Sequence, residues 1–127
     1  MKNPLGVSKW ITSTAKSEKK KVGEICYIFC SDNYLLKINK QYLKHNTYTD
    51  IITFDYSYDN LISGDIFVSI DRVRDNAKQL GIQFENELHR VMIHGILHLA
   101  GYNDKTDKQE ALMRKMEDKY LDKLKPN

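Results

Sequence analysis

The sequence predicts one α+β domain in which helices pack on a small mixed sheet. Three observations lead there. Elements of helical and strand character follow in the order α-β-α-β-β-α-α-α, which suits neither a bundle nor a regular alternation. One helical segment, Leu88 to Ala100, is apolar almost all round and therefore belongs inside the molecule. Pro4 and Pro126 are the two prolines, so nothing interrupts the body of the chain, and 127 residues suit a single domain spanning 1–127.

Taken in order, Pro4 to Ser17 reads as a helix with Val7, Trp10, Ile11 and Ala15 on one side. Residues 24–30 form the first clear strand. Cys26 and Cys30 within it share a face but stand about 13 Å apart at strand rise, too far for a disulfide or a shared metal. They are expected to be reduced core residues, as in the cytoplasm. Ser31-Asp32 caps a helix expected to run through Leu43, with Leu35, Ile38 and Tyr42 at helical spacing. Asp50 to Tyr56 and Gly64 to Ile70 give the next two strands. Asp71 opens a helix to Leu80 that Gly81 closes, and Phe84 to Ala100 forms a long helix ended by Gly101. The last helix, Asp107 to Leu124, carries Leu112, Met113, Met116, Tyr120 and Leu124 as a packing stripe.

Composition narrows the function. Hydrophobic residues are 41% and charged residues 29%, and no apolar run reaches the roughly 20 residues of a membrane span. No apolar stretch of signal-peptide length follows Met1-Lys2, so a cytoplasmic location is expected. The net charge of +3 is mild. It is compatible with a nucleic-acid partner, as is the basic bias from Lys16, Lys19, Lys20, Lys21, Lys37, Lys40 and Lys44, without requiring one.

The chemistry is concentrated in His94-Gly95-Ile96-Leu97-His98-Leu99-Ala100-Gly101-Tyr102-Asn103-Asp104. At about 100° per residue, His94 and His98 stand about 40° apart, one turn from each other on one helix face. Two such imidazoles can bind one metal ion, Gly101 can stop the helix, and Asp104 can swing back as a third ligand. Two nitrogens and a carboxylate leave a fourth position for water, the pattern of a catalytic zinc. A pair of core histidines is the weaker reading, because buried imidazoles need polar partners and a metal supplies one to both. His89 lies about 140° from His94 and is read as structural. His45 falls in a turn. A zinc protease would carry a glutamate base between the histidines; Gly95 stands in its place.

This stretch strongly resembles the His-Gly-x-Leu-His-Leu-x-Gly-Tyr-Asp-His signature of the YbeY family. Thr49-Asp50-Ile51-Ile52-Thr53-Phe54 is similar to its Thr-Asp/Asn-Val-Leu-Ser-Phe segment, and Gly64-Asp65-Ile66 to its Gly-Asp-Ile strand start. The resemblance spans about residues 24–121. It implies a three-layer fold with a central, buried metal-bearing helix. It also implies a zinc-dependent, single-strand-specific endoribonuclease that matures the 3′ end of small-subunit ribosomal RNA, with one Zn2+ per chain and a water on the zinc as attacking group. Two positions depart from the pattern. Asp104 replaces the family's third histidine, and Leu43 follows Tyr42 where the family carries arginine, leaving Lys44 or His45 to supply that charge. An initial strand of the family is expected to be missing. Lys37, Lys40, Lys44, Arg72 and Arg90 are the candidates for holding RNA phosphates, and Arg90 falls within about 40° of His94. No general base is evident. A peptide hydrolase and a ribosome-assembly factor with a structural metal remain alternatives.

Overall fold

The computed structural model describes residues 4–44 and 48–124. Helix α1 (Pro4–Ser17) leads into strand β1 (Lys21–Cys30), then α2 (Asp32–Ile38) and a π turn, Asn39–Leu43. Strands β2 (Ile51–Asp55) and β3 (Leu61–Ser69) follow, and helices α3 (Ile70–Leu80), α4 (Phe84–Leu99) and α5 (Asp107–Leu124) complete the chain.

The sheet is mixed, in the order β1-β3-β2. The central strand β3 pairs in parallel with β1 (Tyr27 opposite Ile66) and antiparallel with β2 (Thr53 opposite Ile66). Both β1 and β3 start three residues earlier than the sequence suggests, because Lys21↔Leu61 and Val22↔Ile62 extend the ladder before an irregularity between Val22 and Ile25. That irregularity turns the following side chains over. Val22, Ile25 and Tyr27 pack on the main core, while Cys30 packs on the opposite face with Leu35, Ile38 and Ile52. The cysteines are therefore not core residues as expected: Cys26 is exposed and Cys30 half-buried.

Three layers result. The short α2 covers one face of the sheet, and α4 covers the other with α1, α3 and α5 around it. Helix α4 is buried along nearly its whole length, including Leu88, Val91, Met92, Ile93, Ile96 and Leu97. The expected apolar positions of α1 are all buried, and the Trp10 indole N–H donates to the Tyr120 carbonyl at 2.7 Å, joining the first and last helices. Two expectations fail at stripe edges. Tyr42 is 59% exposed because the π turn rotates it outward, and Leu112 is 46% exposed, one position off the buried line Met113–Glu117–Tyr120. Among the described residues, no helix is long and apolar enough to cross a membrane.

Gly95 explains how α4 lies so close to the sheet. A Cβ there would come within 3.0 Å of Ile66 and 3.1 Å of Ile51. The helix thus presents its glycine to the strands and turns His94 and His98 the other way.

Candidate metal centre

Helix α4 stops by design beside its histidines. Gly101 takes φ +108°. Its N–H donates to His98 O and the Tyr102 N–H to Leu97 O, both at 3.0 Å, which closes the helix and reverses the chain. Three residues on, Asp104 returns over the helix face. Its Oδ2 lies 3.3 Å from His94 Nε2 and 3.4 Å from His98 Nε2, and the two Nε2 atoms are 3.0 Å apart. Among the described residues, His94, His98 and Asp104 are the group of three donors that could hold a metal ion.

The other ring nitrogens are already engaged. His94 Nδ1 is 2.7 Å from Glu117 Oε2, and His98 Nδ1 is 3.0 Å from the Tyr102 carbonyl. Both acceptors place a proton on each Nδ1, which turns the two Nε2 atoms toward one another and toward a carboxylate oxygen. Two ring nitrogens and an anion converging within hydrogen-bond distance are satisfied by a shared proton or by a bound cation, and two nitrogens with one oxygen are a donor set zinc accepts. The residues present fit a metal.

Electrostatics separate the two rings. Burial pulls the His98 pKa down, and the charge of His94 pulls it further, which keeps this imidazole neutral and its lone pair available. Burial also works against protonated His94, but the hydrogen bond and charge of Glu117 outweigh it and hold the pKa above its ordinary value. Glu117 answers in kind. Burial pushes it up, His94 and Arg90 more than offset this, and it stays below the usual carboxylate range.

The group opens into a cleft of about 990 Å³. The edge strand β2 forms one wall, and Asn39 and Leu43, the two ends of the π turn, lie on the rim. Arg90 lines this cleft, as its helical position predicts. Its guanidinium, however, is held by Glu117 at 3.0 Å and Asp118 at 3.2 Å. Lys37, Lys40 and Lys44 do not line the cleft, and Arg72 is tied to Asp32 at 2.6 Å with Tyr48 against its guanidinium. Two cations that sequence reasoning passed over do line it: exposed Lys105, next to Asp104, and Arg114. His45 lies outside the described residues.

His89 stands apart from this group, edge-on to Trp10 at 5.9 Å, with a buried Nε2 that has no hydrogen-bond partner among the described residues. Gly95 removes the protease alternative's one requirement. A side chain at this position would enter the sheet rather than the cleft, so no base can stand there.

Sequence reasoning also missed Glu117. It is 4% exposed, deep beneath the centre. A signal was available: Glu117 falls four residues after Met113 and three before Tyr120, in line with the apolar stripe. A charge in that stripe needs a buried partner.

The family model described as Endoribonuclease YbeY matches residues 5–125. The chain is 59% identical over 112 residues to the endoribonuclease YbeY of Flavobacterium psychrophilum, covering 88% of this chain and 80% of that protein. It is 53% identical over 114 residues to the endoribonuclease YbeY of Bacteroides thetaiotaomicron, covering 90% and 83%. Among solved structures, it superposes on the solution structure of TM1509 from Thermotoga maritima with a TM-score of 0.70 and 30% identity, covering 98% of this chain and 84% of that one. With sequence, fold and the histidine-bearing helix in agreement, the chain belongs to the YbeY family.

Proposed function

We propose that this single-domain protein is a zinc-dependent endoribonuclease that cuts single-stranded RNA. Its proposed substrate is the 3′ region of small-subunit ribosomal RNA, met in the cytoplasm during ribosome biogenesis. The observation that carries the reading is the convergence of His94 Nε2, His98 Nε2 and Asp104 Oδ2 in the wall of a cleft of about 990 Å³. The relatives' name, endoribonuclease, supports the reaction class.

His94, His98 and Asp104 would hold one zinc ion, which when bound supplies Lewis acidity toward a phosphodiester. The rest falls to the chain. Lys105 and Arg114 hold backbone phosphates at the cleft, and Lys44 and His45, which follow Leu43 in the sequence, are the candidates to replace the family's missing arginine. Arg90, engaged by carboxylates, steadies the floor. Burial raises the carboxyls of Asp50 and Glu87, both in the cleft, which makes either a stronger proton acceptor than an exposed carboxylate.

The test is incubation of purified, metal-quantified protein with structured ribosomal RNA. Cleavage should stop with chelator and return with added zinc. Cleavage that persists undiminished in a metal-free preparation would overturn the proposal.

A further inference from the structure

Arg90, Glu117 and His94 form one continuous chain. Glu117 Oε1 accepts from Arg90 Nη1 at 3.0 Å, and Glu117 Oε2 accepts from His94 Nδ1 at 2.7 Å. The carboxylate is 4% exposed, and both of its oxygens are committed. Arg90 is fixed from further sides by Asp118 at 3.2 Å and Glu87 at 3.7 Å.

We infer that Glu117 is a positioning residue for the metal centre: it holds the proton on His94 Nδ1, fixes the ring plane, and makes Nε2 the more basic of the two imidazole donors. The inference rests on the metal-binding reading and adds to it a residue from a different helix. A surface glutamate would not serve, because in water its bond to the ring would compete with solvent. Here Glu117 is itself buried, so little solvent competes for the bond.

The two histidines are thereby unequal. His98 donates to a neutral backbone carbonyl, whereas His94 donates to a full negative charge. Charge-assisted bonds are the stronger class, and a carboxylate behind an imidazole raises its donor strength. Arg90 has a matching part. By binding the other oxygen, it holds the carboxylate against the ring and stops it from swinging away to take the metal itself.

Zinc affinity of the folded apo-protein, measured by chelator competition, tests this without reference to catalysis. Glu117→Gln should weaken binding about 10–100-fold, the usual cost of losing such a partner. Asp118→Asn, which also touches Arg90 but not His94, should leave it unchanged. In a His94→Ala background, Glu117→Gln should have no further effect, because its influence passes through that ring. Should Glu117→Gln fail to fold, 15N shifts of wild-type protein still decide: His94 must carry a hydrogen-bonded proton on Nδ1, the atom that faces Glu117. Wild-type affinity retained by folded Glu117→Gln, or a His94 Nδ1 found without its proton in the apo-protein, overturns the assignment. Failure of wild-type protein to take up zinc would instead overturn the metal reading beneath it.

Discussion

Gly95 and Ile66 meet so closely that a Cβ on the glycine would sit 3.0 Å from both Cδ1 and Cγ2 of the isoleucine. The contact sets how far α4 stands from the sheet. Gly95→Ala should therefore overpack this seam and cost about 1–3 kcal/mol in denaturant unfolding, despite alanine's better helix propensity. A stability gain would show that the seam is loose. Gly95→Glu should fold poorly and create no peptidase activity.

Metal content follows from the three converging donors. His94→Ala, His98→Ala and Asp104→Ala should each lower zinc per chain in elemental analysis, while His89→Ala should not. Full zinc in all three ligand variants would remove the centre from these residues.

His89 gives the fold an acid sensitivity. Burial holds its pKa below the ordinary 6.5. Such a histidine gains its proton on unfolding, so its contribution is intact above about pH 6.5 and is lost as pH falls through that value toward the lower folded pKa. His94, with its raised pKa, works in the opposite sense, which makes the comparison between variants the informative one. His89→Phe keeps the ring against Trp10 and should lose less stability between pH 7 and 5.5 than wild type. Parallel stability profiles would refute this.

Phosphate contacts can be separated from floor contacts by salt. RNA affinity on single strands falls with a log–log slope of about −0.7 per neutralised phosphate. Lys105→Ala and Arg114→Ala should each flatten the slope by roughly that amount. Arg90→Ala should leave the slope unchanged and lower zinc affinity instead. A flattened slope for Arg90→Ala would return that residue to the substrate.

The helices were legible because their signals are local. Ser31 and Ser69 accept from the backbone N–H groups of Tyr34 and Arg72, and Gly81 and Gly101 adopt positive φ, all marks that a sequence carries in place. The His94–His98–Asp104 group was legible for the same reason, since a single helix and its stop define it. What remained hidden depends on contacts between distant segments. The early start of β1 is licensed by Leu61 and Ile62, some forty residues on, and the outward turn of Tyr42 by a π turn that no residue type announces. Glu117 joins the centre only because α5 crosses α4. The resemblance supplied the three layers, which periodicity alone could not order.

The indole of Trp10 and the carbonyl of Tyr120 are 110 positions apart along the chain. Helix α1 thus has no finished seat until α5 has been made. Its apolar side, Val7, Trp10, Ile11 and Ala15, must wait uncovered or lodge elsewhere while the intervening segments emerge. The parallel pairing of β1 with β3 adds a second long loop to close. A nascent chain cut short before α5 also lacks Glu117, so its histidines would stand without their carboxylate.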